Sequence, residues 1–155
     1  IQPFDLIVGK WLASWTLVLI ALFPTIAYYF TLYQLGDPIG NIDSGAIAGS
    51  YLGLFLLAGA YSSIGVFAST LADNQIVAFI IGAFLAFLFF YGFFYFSLLP
   101  IVVGRLDELI QMIGMDYHYR SISRGVVDLR DVLYFFSTIS FFVFAAVIMV
   151  EKRKQ

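Results

Sequence analysis

Four long runs of apolar residues constrain the fold of this chain more than any other feature of its sequence. The runs lie at about residues 11–35, 45–71, 76–99 and 129–150. Each is long enough for the roughly 20 apolar residues with which an α-helix crosses about 30 Å of hydrocarbon. We therefore predict an all-α, polytopic membrane helix bundle with four transmembrane helices in this chain.

The composition supports a lipid environment and excludes several classes of protein. Apolar residues make up 62% of the chain and charged residues 12%, against about 25% charged residues in an average soluble domain. The absence of cysteine excludes a disulfide scaffold and any thiolate metal site. With eight dispersed Lys and Arg and a net charge of −2, we expect no nucleic-acid partner.

Individual residues predict where the helices kink, where they meet the membrane interface and where they begin. Pro24 should kink the first span, because proline removes one backbone hydrogen bond. Trp11 and Trp15 are predicted to be membrane-interface anchors. The turn between the second and third spans predicts Asp73 as an N-cap.

The second span begins with small residues at every fourth position. Asp43 or Ser44 is its predicted N-cap. Glycines at this spacing share one helix face and allow another helix to approach closely. Ordinary helix packing is the favoured interpretation, and a dimer or conduit surface is the alternative. The helix-packing candidates are Gly45, Gly49 and Gly53.

The segment at about residues 100–128 is the one sizeable polar part of the chain, and we predict that it is extracellular. Apolar residues at i, i+3, i+4 and i+7 from Leu106 predict a short amphipathic helix at the membrane interface, ended by Gly114. A second short helix is predicted at 116–124, with Gly125 as its stop. Asp128 and Asp131 fit the N-cap and the first turn of the fourth span.

Charged residues in and beside this segment could form ion pairs that close an outer mouth. We call them the outer cluster: Asp116, His118, Arg120, Arg124, Asp128, Arg130 and Asp131. Exposed pairs of this kind contribute only about 0–1 kcal/mol each, so gating through them would require partial burial. We expect His118 to be a surface or hydrogen-bonded structural histidine rather than a metal ligand or a general base.

Chemistry-bearing motifs are missing from the sequence, so we expect no catalytic, cofactor-binding or metal-binding residue in this chain. Lys10 follows a glycine but lacks the remaining residues of a phosphate-binding loop. The pair Ser62 and Ser63 has no histidine or lysine partner in its helix. We also expect no ionisable side chain at membrane depth, so that energy for any transport must come from another polypeptide.

Four stretches resemble a known family of membrane proteins. Residues 3–10, 40–54, 73–79 and 118–135 are similar to successive segments of ABC-2 type transporter permease subunits, and within them of the gliding-motility-associated ABC permeases. The stretch at 118–135 is the most specific of the four. Together they are spread along nearly the whole chain, from residue 3 to residue 135.

The resemblance implies that residues 1–155 are one permease transmembrane domain, truncated at its N-terminus, with four of six expected helices. It implies a second permease subunit, identical or different, and separate ABC ATP-binding subunits that hold ATP and Mg; membrane lipid is the surrounding partner. We therefore expect an export subunit that is not itself an enzyme. The candidate contacts to the ATP-binding subunit are Pro3, Phe4, Asp5, Gly9, Lys10, Asp73, Asn74 and Gln75.

The resemblance and the basic C-terminus favour a bacterial cytoplasmic (inner) membrane protein with both ends of this chain in the cytoplasm. The count of basic residues alone does not decide the orientation, because four lie on each side of the predicted membrane. A non-transporting anchor or scaffold subunit of an envelope or gliding machine is the alternative function. A membrane enzyme ranks last.

Overall fold

The computed structural model describes residues 1–155, and every regular element in it is a helix. The elements are α1 (Pro3–Leu22), a 3₁₀ turn (Phe23–Thr25), α2 (Ile26–Leu35), α3 (Ser44–Leu71), α4 (Gln75–Phe87), a π turn (Leu88–Gly92), α5 (Phe93–Ser97), α6 (Asp107–Ile113), α7 (Met115–Ser123) and α8 (Leu129–Lys154). Four helical stretches are long and apolar enough to cross a membrane: Pro3–Leu35, Ser44–Leu71, Gln75–Ser97 and Leu129–Lys154. The predicted all-α bundle with four spans is confirmed.

The first span starts earlier than its apolar run. Helix α1 begins at Pro3 rather than near Trp11, since proline is well suited to the first turn of a helix and no helix-breaking residue follows it. Asp5 and Lys10 therefore belong to the spanning helix. Pro24 lies in the 3₁₀ turn that joins α1 to α2, where the predicted interruption occurs.

Helix α3 forms the centre of the bundle. In its most apolar stretch 56% of the residues are buried, against 6% in the first and third spans. Its small and aliphatic side chains, among them Ala60 and Ile64, pack against Phe135 and Phe142 of α8 in one apolar core. The first and third spans accordingly form the outer walls of this chain.

Two tryptophans attach the first span to α3. The indole Nε1–H of Trp11 donates to the carbonyl oxygen of Gly59 at 2.9 Å, and that of Trp15 to the carbonyl oxygen of Phe55 at 3.0 Å. The two indole rings stack with their centres 5.1 Å apart. Gly59 and Phe55 both lie well inside α3 (Ser44–Leu71), so the two indoles are near the middle of that span and not at its end, where the interface prediction placed them.

The short helices α6 and α7 form a hairpin that enters the bundle between the spans. At its tip, Gly114 lies against the carbonyl oxygen of Phe90 in the π turn and against the side chain of Phe93. Phe90 precedes Ser97, the last residue of the third span, by seven residues, which is about 10 Å along a helix. The hairpin therefore does not lie flat at the interface as predicted. Irregular backbone at such depth occurs where protein surrounds it.

After the tip, α7 runs antiparallel to α3 and back towards the bundle surface. Its Tyr119 ring lies where a side chain on Gly53 would be, and the Ile122 carbonyl lies where one on Gly49 would be. Gly45 has more space, but its carbonyl contacts Gly125, which has a positive φ of 86°. The close approach at this glycine face is thus made by α7 and not by a second spanning helix.

Both termini of the chain lie at the opposite end of the bundle from the hairpin. We refer to the two ends as the hairpin side and the terminal side. On the terminal side, Asn74 caps α4 by accepting from the backbone N–H of Ile76 at 2.8 Å. The predicted cap, Asp73, instead accepts a 2.7 Å hydrogen bond from the guanidinium of Arg153.

Candidate functional site

A cavity of about 540 Å³ opens on the hairpin side, between the hairpin, the third span and the first turn of α8. Its wall includes Phe90 and Phe94 of the third span. All seven residues of the outer cluster line it: Asp116, His118, Arg120, Arg124, Asp128, Arg130 and Asp131. The structure therefore gathers these residues around one space.

His118 links three helices through its imidazole ring. Its Nδ1 lies 2.6 Å from Oδ1 of Asp131 in α8, and its Nε2 lies 2.7 Å from the carbonyl oxygen of Met112 in α6. The ring also stacks on Tyr134 of α8, with the ring centres 3.9 Å apart. The side chain is buried, so it is a hydrogen-bonded structural histidine that fastens the hairpin to the fourth span.

The geometry fixes the number of protons on this pair. A carbonyl oxygen only accepts, so Nε2 of His118 carries a hydrogen and donates to Met112. The 2.6 Å contact between Nδ1 and the Asp131 carboxyl also requires one proton, because two lone pairs would repel each other. Whichever atom holds that proton, His118 and Asp131 together carry no net charge.

A second ion pair lies along α7. The guanidinium of Arg120 lies 2.7 Å from a carboxylate oxygen of Asp116, one helical turn away. Asp116 is buried, whereas Arg120 is half exposed and lies over the ring of Phe94, 5.3 Å from its centre. This pair is also neutral as a unit.

Two arginines of the outer cluster form no ion pair. Arg124 and Arg130 are exposed and have no carboxylate within ion-pair distance. Asp128 caps α8 by accepting from the backbone N–H of Arg130 at 3.0 Å. Of the predicted pairing between three arginines and three aspartates, only Arg120–Asp116 forms, because Asp128 caps α8 and Asp131 bonds to His118.

The carboxyl of Asp131 has an incomplete set of partners. Oδ1 bonds to His118, but Oδ2 is buried and receives no hydrogen bond. Asp131 lines the cavity and is 4% exposed. A buried acceptor without a donor is costly, so this oxygen is the polar atom of the cavity that most requires one.

Tyr119 closes the hairpin against the third span. Its ring lies 6.4 Å from that of Phe90, centre to centre, in addition to its contact with Gly53. Burial raises the pKa of the Tyr119 phenol above its ordinary value. The phenol is therefore neutral at physiological pH.

The residues predicted to contact an ATP-binding subunit separate into two groups. One group lies in the first turns of α1, where the Phe4 ring packs on Phe144 of α8 with the centres 6.3 Å apart. The other group is an exposed turn next to Arg153. The first group is Pro3, Phe4, Asp5, Gly9 and Lys10, and the second is Asp73, Asn74 and Gln75.

Sequence reasoning missed three groups that complete the site: the Met112 carbonyl, the Tyr134 ring and the Phe94 ring. Tyr134 also donates its hydroxyl hydrogen to the carbonyl of Ile113. Its position three residues after Asp131, on the same helix face, was the available signal. No group of three or more His, Asp or Glu side chains in the structure is arranged to hold a metal ion.

No family model, curated protein or solved structure that was compared matches this chain. The chemistry of the site must therefore be taken from its own atoms. The site contains two arginines, a neutral ion pair, a neutral histidine–carboxyl pair and aromatic walls. These groups can contact a ligand through charge and hydrogen bonds.

Proposed function

We propose that this chain is the permease subunit of an ATP-driven ABC-2 type exporter in the bacterial cytoplasmic membrane. The distribution of buried charge is the observation that carries the proposal. The buried acidic and basic side chains are Asp116, His118 and Asp131, and all three lie on the hairpin side. From there to the terminal side the core is apolar apart from Ser and Thr, so these residues form no relay for protons or ions across the bundle.

Ionisable groups do lie within the bundle, contrary to the expectation from sequence, but they form no relay across it. The tip of the hairpin at Gly114 lies about 10 Å below the end of the third span, Asp116 and His118 follow it in α7, and Lys10 lies within α1 on an exposed face. The hairpin residues belong to one cavity on one side. Lys10 precedes Trp11, which bonds to Gly59 well inside α3, so it lies near the middle of that span on an exposed face of α1 and outside the buried core.

Helix α3 provides a mechanical connection between the two sides. It is uninterrupted over 28 residues, about 42 Å. One end adjoins the exposed turn at 73–75, and the other holds α7 against Gly49 and Gly53. A displacement that a nucleotide-hydrolysing partner applies to the turn would reach the hairpin as a rigid-body tilt of α3.

The proposal is tested by purifying the full chain from its native membrane with the subunits that remain bound. We expect a co-purifying chain with a phosphate-binding loop, and ATP hydrolysis that depends on it. Asp73→Lys should reduce hydrolysis in the complex, because it reverses charge in the exposed turn beside Arg153. Its effect on stability should stay within about 1 kcal/mol, since the pair is exposed.

Asp37→Lys is the matched control, because Asp37 is an exposed residue of the loop on the hairpin side. Hydrolysis should be unchanged in this variant. A purified complex that contains no ATP-binding chain, or one in which Asp73→Lys and Asp37→Lys behave alike, would contradict the proposal. The first result would favour the scaffold alternative. A role in gliding motility rests on the resemblance alone.

A further inference from the structure

The cavity on the hairpin side carries an excess of positive charge. The pairs His118–Asp131 and Asp116–Arg120 are each neutral, as shown by their hydrogen bonds and charges. The remaining charged groups are Arg124, Arg130 and Asp128, and Asp128 is engaged as the cap of α8. With Asp128 still charged, these three groups leave one net positive charge in the cavity wall, and two guanidinium groups without a carboxylate partner favour an anion there.

The wall of the same cavity contains a carboxyl oxygen that has no hydrogen-bond donor. Oδ2 of Asp131 is buried in its wall with no N–H or O–H directed at it. An anion that only accepts hydrogen bonds would leave this oxygen unsatisfied. The complementary molecule has an anionic group for the arginines and, a few atoms away, an amine or a hydroxyl for the carboxyl.

Apolar surface beside the arginines indicates what the rest of that molecule is like. The chain between Arg124 and Arg130 exposes Val126, Val127 and Leu129, which are 63%, 53% and 70% exposed. These side chains lie at the outer end of α8, next to the mouth of the cavity. A polar cavity with an apolar border at this level of the bundle fits the headgroup and first methylenes of a lipid.

We propose that this cavity binds the headgroup of a phospholipid that carries a hydrogen-bond donor next to its phosphate. Arg124 and Arg130 hold the phosphate, the carboxyl of Asp131 accepts from the amine or hydroxyl, and the acyl chains lie along Val126 and Leu129. The cavity volume of about 540 Å³ is within the range of about 300–1,000 Å³ that is usual for small-molecule sites. The site does not depend on the proposed export function.

Two lipids test the proposal, one with N–H donors in its headgroup and one in which methyl groups replace them. Dihexanoyl phosphatidylethanolamine and dihexanoyl phosphatidylcholine share phosphate, charge and chains, but the choline has no N–H. Binding of each to the full chain in detergent is measured by native mass spectrometry. We expect the ethanolamine lipid to bind about tenfold more tightly, as one charge-assisted hydrogen bond provides. Equal binding of the two lipids would overturn the proposal.

The arginine contribution is tested with R124Q/R130Q and with a matched control. The double variant should weaken binding of the ethanolamine lipid by at least about tenfold. Arg105→Gln, at an exposed arginine outside the cavity wall, should leave it unchanged. Equal effects of the two substitutions, or no effect of either, would overturn the assignment of the phosphate to these arginines.

Inorganic phosphate distinguishes a lipid from a soluble ion. If the apolar border contributes as proposed, phosphate alone should bind far more weakly than the short-chain lipid, and V126S/L129S should weaken lipid binding only. Phosphate that binds as tightly as the lipid would overturn the lipid assignment. None of these measurements requires ATP or a partner subunit, so their outcome is independent of the test of export.

Discussion

Replacing Gly49 by alanine should separate the hairpin from α3. A Cβ on Gly49 would lie 2.9 Å from the Cα and the N of Gly125, and nearer still to the carbonyl oxygen of Ile122. These are backbone atoms, so no side-chain rotation can relieve the overlap. We therefore place the cost at about 3 kcal/mol, the upper end of the usual range for overpacking.

Gly65→Ala in the same helix isolates this cost. No atom lies within 4 Å of a Cβ built on Gly65. Both substitutions gain the same helix propensity of about 1 kcal/mol, so the difference between the two variants reports the overlap at Gly49 alone. A difference of about 3 kcal/mol corresponds to roughly 6–12 °C in Tm for a domain of this size.

Thermal unfolding of the purified chain in detergent measures that difference, and hydrogen exchange locates it. We expect Gly49→Ala to unfold at the lower temperature and the amides of α7 to exchange faster than in Gly65→Ala. The reasoning would be refuted by equal Tm values in the two variants, or by faster exchange in the fourth span with none in α7. Either result would mean that α7 does not depend on this glycine face.

Three further predictions concern single side chains. His118→Leu should destabilise the fold by about 3–5 kcal/mol, because it leaves Asp131 as a buried charge without a partner. The double variant H118L/D131L should recover much of the lost stability in thermal unfolding. Strictly additive effects of the two substitutions would contradict the pairing. Trp15→Phe keeps an aromatic ring but loses the N–H bond to Phe55, so it should cost about 0.5–1.5 kcal/mol, while Trp15→Phe as stable as the parent would show that this bond contributes nothing. Since the pKa of Tyr119 is raised on folding, stability should be full below its ordinary value of about 10 and fall as pH rises further; Tyr119→Phe should lessen that alkaline loss in a pH series of unfolding measurements.

Much of the helical framework could be read from local sequence. Asp43 and Asp128 cap α3 and α8 as predicted, and Gly114 and Gly125 end the short helices. Such signals act within one turn of the chain. These signals did not predict the early start of α1 at Pro3, because the charges of Asp5 and Lys10 end the apolar run near Trp11 although the helix continues through them.

The sequence predicted which residues belong to the candidate site but did not predict how they are arranged. The concentration of charged residues in this segment was enough to name all seven acidic, basic and histidine residues that line the cavity. The link from His118 to Asp131 crosses a loop and depends on where α7 lies. The depth of α7 in turn depends on the π turn at Leu88–Gly92, whose backbone receives Gly114.

By itself, the sequence determined that the chain is helical and spans a membrane four times, because the hydrophobic requirement of each span is satisfied by neighbouring residues along the chain. Only the tertiary structure decided that Trp11 and Trp15 bind α3, that the glycine face receives α7, and that two arginines are left without partners. Those outcomes depend on contacts between residues far apart in the chain. Local patterns carry no information on which of several compatible faces will meet.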